Sequence, residues 1–158
     1  MKILAIEWAG PESLSAALSQ AIKRISVAFY IPNSGPRFVT LWHSNGTGVR
    51  IFTEMYDIAE RTEVGVLKLE PASTPEASEV NASLTSHFRG RVTAHKLVIS
   101  ESGTRAESGV ALVNEDGDEL VIVAGAYPYS LAVKGVSPLP HIFEPEYSLN
   151  RYDRVPLE

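Results

Sequence analysis

Two apolar runs that flank Asp116-Gly117 constrain the fold of this chain more than any other feature. The dipeptide suits a two-residue type I′ turn, because both of its residues tolerate a positive φ. Such a turn pairs four apolar residues of one strand with four of the next: Val110 with Val123, Ala111 with Ile122, Leu112 with Val121 and Val113 with Leu120. Both faces of the hairpin are then apolar, which predicts a position deep in a sheet that is covered on two sides.

The second apolar face of this hairpin needs a cover. Another layer of the same chain can supply it, and so can a second subunit. The sequence leaves both arrangements open, and it therefore predicts either a layered monomer or a homodimer.

The segment Glu12–Arg24 predicts an amphipathic helix near the N-terminus. Pro11 precedes it, in a position where the missing N–H of proline costs nothing, and Lys23 and Arg24 suit the negative end of the helix dipole. We expect this helix to pack on one face of the sheet, because its apolar residues recur at helical spacing. These residues are Leu14, Ala17, Leu18, Ala21, Ile22 and Ile25.

Most other apolar segments are short and are separated by loops rich in Gly, Pro and Asn, which is typical of antiparallel strands. The last 22 residues, from Ser137 on, contain four prolines and predict an extended tail held by apolar anchors. The predicted fold class is thus α+β: a mostly antiparallel β-sheet, one N-terminal amphipathic helix packed on it, and an extended C-terminal tail. The anchors are Ile142, Phe143, Tyr147, Leu149 and Tyr152.

A length of 158 residues suits one domain, which we assign to residues 1–158. The segment 71–79, PASTPEASE, has no periodicity and is rich in proline, small residues and acids. It predicts a surface loop and marks the candidate internal boundary of the domain.

The net charge of −5 is concentrated in the C-terminal half, where acids outnumber bases from Glu101 onward. Such a surface disfavours nucleic acid, whose binding needs clustered Lys and Arg, and favours a basic protein partner. No apolar run reaches the length that crosses a bilayer, so no membrane association is predicted. The chain has no cysteine, and its first residues look like a strand, so we expect a cytoplasmic protein.

Motifs for chemistry are missing. The chain has no GxSxG, SxxK or phosphate-binding glycine loop, and no histidine pair with metal-ligand spacing, so we assign no catalytic residue, metal or cofactor. An EF-hand alignment on Gly117 places Leu112 and Val123 at ligand positions, which excludes that loop. His141, Glu144 and Glu146 form the closest approach to a cluster.

Two groups of residues are candidates for binding. The first is the acidic turn of the hairpin, where Glu115 and Asp118 are expected to face each other; its members are Glu115, Asp116, Asp118 and Glu119. The second is aromatic: Tyr127 and Tyr129 flank a proline at the end of the hairpin strand, and we expect them near Trp42 and His43.

Two functions follow from these candidates. The leading one is a small non-enzymatic protein-binding domain, of inhibitor or immunity type, that uses its acidic C-terminal half. The alternative is a small-molecule-binding protein or enzyme with a pocket near Trp42, His43, Tyr127 and Tyr129.

Overall fold

The computed structural model describes residues 1–30, 35–137 and 143–157. These residues are mostly antiparallel β-sheet with very little helix. In chain order the elements are β1 (Lys2–Leu4), β2 (Glu7–Trp8), α1 (Leu14–Leu18), β3 (Ile22–Phe29), β4 (Pro36–His43), β5 (Gly48–Ala59), β6 (Thr62–Ala72), β7 (Val80–Leu84), β8 (Thr93–Glu101), β9 (Thr104–Val113), β10 (Glu119–Ala124), β11 (Leu131–Lys134), β12 (Val136–Ser137), a 3₁₀ turn at Leu149–Arg151, and β13 (Asp153–Pro156).

The strands form two sheets. A seven-stranded sheet has the order β12-β7-β3-β4-β5-β6-β2, and a six-stranded sheet has the order β11-β10-β9-β8-β13, with β1 beside β9. Only the short strands β1 and β2 pair in parallel, with β9 and β6 respectively, among the strands described. Within the larger sheet, β3, β4, β5 and β6 lie side by side in chain order, and each pairs with the next as an antiparallel neighbour.

The main hydrophobic core lies between the two sheets. It combines residues of β3 to β7 with residues of β9, β10 and β11, together with Leu18 of α1 and Phe88. The core therefore draws on chain segments from both sides of residues 71–79.

A second core covers the other face of the six-stranded sheet. There Val121 and Val123 of the hairpin pack with Val64 and Val66 of β6 and with Tyr152. The second apolar face of the hairpin is thus covered within one chain. A second subunit is therefore not needed to cover this face, and the homodimer stays a prediction.

The predicted N-terminal helix is wrong in its extent. Helix α1 covers only Leu14–Leu18, where Ser13 caps it by accepting the N–H of Ala16, and the chain is already in strand β3 at Ile22. The β-branched residues of the second half pair with β4 instead of continuing the helix. The strand has a register shift between Ile22 and Arg24. This irregularity places Ile22 and Ile25, which are three residues apart as on a helix face, both in the core.

The hairpin around Gly117 forms, but its predicted register is wrong by one residue. Leu112 pairs with Leu120 and Val113 with Glu119. The loop is longer than two residues because the Asn114 side chain accepts the backbone N–H groups of Asp116 and Asp118. Gly117, with a φ of 87°, then takes the left-handed position that ends a type I turn. Glu115 and Asp118 consequently do not face each other across paired strands.

The C-terminal segment and the 71–79 segment both fold against the sheets. Phe143, Tyr147, Leu149 and Tyr152 pack on the second core, and β13 pairs with β8. Ile142 and His141 lie outside the described residues. Pro71 and Ala72 belong to β6, and Glu79 turns its side chain inward. No helix in the described ranges is long and apolar enough to span a membrane.

Candidate functional site

Three exposed tyrosines lie on two segments that meet at one corner of the molecule, and we call Tyr30, Tyr127 and Tyr129 the tyrosine cluster. Their exposed fractions are 53%, 67% and 51% respectively. The Tyr30 hydroxyl donates to the Tyr129 carbonyl at 3.2 Å, which links the end of β3 to the turn between β10 and β11. The cluster therefore joins residues that are about a hundred positions apart in sequence.

The turn that carries two of these tyrosines is tightly fixed. The Ser130 backbone N–H and hydroxyl both donate to the Tyr127 carbonyl, and Pro128 sets the first corner. Tyr129 has a φ of 61°, in the left-handed region where a residue with a side chain is strained. Strain of this kind costs about 1–3 kcal/mol and is commonly found where a backbone must present a side chain for binding.

The acidic turn of the β9–β10 hairpin lies elsewhere. Glu115, Asp116 and Asp118 are exposed and form no ion pair within the described residues, whereas Glu119 forms a two-pronged salt bridge with Arg154. That salt bridge lowers the pKa of Glu119 below its usual range. Only three of the four predicted acids are thus free to meet a partner.

The predicted aromatic group does not lie around one pocket, and it is separate from the acidic turn. The acidic turn and the tyrosine cluster lie at opposite ends of β10, and Trp42 and His43 lie at the far end of β4 from the cluster. Gly35, just before β4, contacts Ser130, so seven residues of extended chain separate the cluster from Trp42, or roughly 20 Å. The structure therefore does not bring Trp42 and His43 together with Tyr127 and Tyr129.

Trp42 belongs to a polar network on the outer face of the larger sheet. Its indole N–H donates to the Ser26 hydroxyl at 2.8 Å, and the Arg24 guanidinium lies 4.8 Å from the ring centroid. Ser26 and Thr40 in turn donate to one oxygen of Glu79, at 2.7 and 2.6 Å. The Glu79 side chain is only 1% exposed. Its second carboxylate oxygen accepts hydrogen bonds from the Arg50 guanidinium and from the backbone N–H of Glu76.

Sequence reasoning missed Glu79, Ser26, Thr40 and Arg50. The signal lies in the strands: single polar residues alternate with apolar ones at Ser26, Thr40 and Arg50, and the register places these three in one row across β3, β4 and β5. Glu79 lies in the loop between β6 and β7, and strand patterns in the sequence do not predict that its side chain joins this row. The arrangement is a fully paired buried carboxylate, which fixes the 71–79 segment on the sheet.

His43 sits on the opposite, inner face of β4. It is 2% exposed, and neither ring nitrogen forms a hydrogen bond with the described residues. Burial lowers the pKa of this imidazole; the nearby carbonyls of Ala17 and Ala21 and the charge of Glu12 oppose that effect only in part. His43 is therefore expected to be neutral near neutral pH.

The neutral state of His43 gives a pH dependence. Below the unfolded-state value of 6.5 the unfolded chain takes up a proton that the folded chain does not, so the contribution of His43 to the free energy of unfolding falls as the pH drops. His43→Leu lacks this contribution, so its stability relative to the wild type should rise as the pH falls from about 7 to about 5, measured by urea unfolding of both proteins at each pH. His87→Gln, at an exposed histidine, is the control. An unchanged slope in His43→Leu would contradict the assignment.

Two clefts open near this end of β4. A cleft of about 300 Å³ is lined by His43, Glu12, Gln20 and Thr47 among others. A larger one of about 590 Å³ runs beside β3 and β7, with Arg24 and Ser44 in its walls. Within residues 1–30, 35–137 and 143–157, no group of three or more His, Asp or Glu side chains could hold a metal ion.

Comparisons with protein-family models, with curated proteins and with solved structures found no match. The function is therefore argued from the side chains themselves.

Proposed function

We propose that this chain is a non-enzymatic protein-binding domain, of inhibitor or immunity type, that acts in the cytosol. The tyrosine cluster is the observation that carries the proposal. Exposed tyrosines on a rigid turn lose little conformational entropy on binding and bury a large contact area, which makes tyrosine one of the residues that dominate protein interfaces.

The acidic turn has a second role in this proposal. Glu115, Asp116 and Asp118 lie about one strand length from the cluster, so they sit at the periphery of any interface centred on it. Peripheral charges mainly speed the encounter of partners and make it sensitive to salt. We therefore expect a basic partner protein that contacts the tyrosines and is attracted by the acids.

The test begins with the tagged chain purified under native conditions from its host, with partners identified by native mass spectrometry. Tyr127→Ala is expected to weaken the affinity for the partner by about 30-fold or more, because it removes a central aromatic contact. Val80→Ala, another exposed apolar side chain, is the matched control and should bind like the wild type. Calorimetry with the purified partner gives the affinities, and equal binding by Tyr127→Ala would overturn the site.

A charge variant separates the second role from the first. Glu115→Gln, Asp116→Asn and Asp118→Asn together should slow association and reduce its dependence on salt. The control removes three charges from the other long hairpin, in Asp57→Asn, Glu60→Gln and Glu63→Gln.

A small-molecule-binding protein is the second candidate, and the cleft beside His43 favours it. Because Tyr127 and Tyr129 lie away from this cleft, the candidate depends only on residues at the end of β4 that carries Trp42 and His43. The same native mass spectra test it: a small molecule that accompanies both the wild type and Tyr127→Ala, with no protein partner, supports it over protein binding.

A further inference from the structure

The larger cleft beside β3 and β7 concentrates positive charge on an acidic protein. Lys23 and Arg24 of β3 line this cleft of about 590 Å³ together with His87 and Arg89 of the segment after β7, and we call these four residues the basic groove. No carboxylate lines this groove among the described residues. The groove falls within the size range of small-ligand sites.

The cations of the basic groove are not engaged by acids. Lys23 and Arg89 are exposed and form no ion pair within the described part of the chain. Arg24 donates one N–H to the Asn81 side chain at 3.0 Å and stacks on Trp42, which leaves its other N–H groups without a protein acceptor there. Glu115 lies against Gly90, next to Arg89, but does not line the groove.

The position of Arg24 is fixed before any ligand arrives. Stacking on a buried indole and a hydrogen bond to Asn81 hold the guanidinium at the groove wall, so less side-chain entropy is lost on binding. Hydroxyl groups complete the lining, at Ser44, Ser83 and Ser86. Planar guanidinium groups with hydroxyl donors match the oxygen atoms of a phosphate group.

We propose that the basic groove binds a small molecule through its phosphate group. A phosphate monoester carries close to two negative charges at neutral pH, which the three permanent cations of the groove can offset. The apolar part of the groove, at Ile22, Leu84 and Phe88, would contact the remainder of such a ligand. This site uses none of the residues assigned to protein binding, so the two proposals can fail independently.

The test is an NMR titration of the wild type with inorganic phosphate and with pyrophosphate, at constant ionic strength. Backbone amide shifts are expected at Lys23, Arg24, Ser44 and residues 86–89, with pyrophosphate binding the tighter of the two. The double variant Lys23→Gln, Arg89→Gln should weaken pyrophosphate binding by about tenfold or more. Both positions are exposed, so the fold should persist. Unchanged backbone amide shifts at residues far from the groove would verify this.

The matched control removes the same charge outside the groove, in Lys2→Gln, Arg91→Gln. This control should bind pyrophosphate like the wild type. Shifts that spread over all surface cations, equal weakening in both double variants, or no shift at all would overturn the site. A single-stranded oligonucleotide that binds the groove far more tightly than pyrophosphate would overturn the assignment to a small ligand.

Discussion

Glu79→Ala is expected to lower the free energy of unfolding by about 3 kcal/mol, because the buried hydroxyls of Ser26 and Thr40 lose a charged acceptor and hydrogen bonds to charged groups contribute about 1.5–3 kcal/mol each. Arg50 keeps Glu70 and Glu76 within 3.8 Å, so its charge stays paired. The substitution leaves the hydroxyls of Ser26 and Thr40 and the guanidinium of Arg50 without their shared acceptor. It also frees the 71–79 segment, since the backbone N–H of Glu76 donates to the same carboxylate. Urea unfolding of the wild type and the variant at neutral pH measures the difference.

Glu70→Ala is the matched control for this prediction. Glu70 lies 3.8 Å from the same guanidinium of Arg50, but its side chain is 45% exposed, so its removal should change stability by less than about 1 kcal/mol. Glu79→Gln keeps an acceptor oxygen and should fall between the two variants. If Glu79→Ala unfolds like Glu70→Ala, the network does not fix the loop as we describe.

The network also has a pH signature. Burial raises the pKa of Glu79, but hydrogen bonds from Thr40 and Ser26 and the charge of Arg50 outweigh it, so the folded-state pKa lies below 4.5. The stability that this carboxylate provides is therefore complete above 4.5 and is lost as the pH falls through the lower folded-state value.

The hairpin shows how far a sequence pattern reaches. Continuous apolar runs predicted that both faces of β9 and β10 are buried, and they are, in two separate cores. The register could not be predicted without the conformation of Asn114. Its side chain accepts two loop N–H groups and lengthens the turn. Asp-Gly suits a two-residue turn and equally the end of a longer one, so composition alone could not choose.

The helix predicted near the N-terminus was wrong in extent for a different reason. The apolar residues from Leu14 to Ile25 satisfy a helical period, but the second half also satisfies the period of a strand once a register shift is allowed. Pairing with β4 on one side and β7 on the other stabilises the strand. Such partners are distant in sequence, and a local pattern does not contain them.

The candidate sites show the same limit. Tyr127 and Tyr129 were candidates from the sequence, but the contact of Tyr129 with Tyr30 depends on how β3 and the β10–β11 turn meet. Trp42 and His43 are adjacent in sequence, and strand alternation sends their side chains to opposite faces, one into a polar network and the other beneath α1.

Glu146 holds the C-terminal segment against β6. Both of its carboxylate oxygens accept the backbone N–H of Gly65, at 3.2 and 3.1 Å, and its own N–H donates to the carbonyl of Ala124 at 2.9 Å. The glycine at position 65 lets β6 lie close to Ala124, because a Cβ on residue 65 would lie 2.6 Å from the Cβ of Ala124. Burial raises the pKa of Glu146 to about 7, and the charge of Glu63 adds to the effect although the Gly65 hydrogen bond opposes it.

Glu146→Gln is therefore expected to stabilise the protein at pH above 7. Between 4.5 and about 7 the folded chain holds a proton that the unfolded chain has lost, so the contribution of Glu146 to stability falls as the pH rises. Glutamine resembles the protonated acid and avoids this loss, which amounts to about 2–3 kcal/mol. The variant and the wild type should thus unfold alike near pH 4.5 and diverge as the pH increases.

The informative quantity is the difference between variant and wild type at each pH, measured by urea unfolding, because the opposite contribution of His43 cancels in it. Glu144→Gln removes the same charge two residues earlier, from an exposed side chain, and is the control. A pH-independent difference for Glu146→Gln would mean that its carboxylate is ionised in the folded chain, and that the C-terminal segment is held by apolar packing of Phe143, Tyr147 and Tyr152 rather than by a protonated carboxyl.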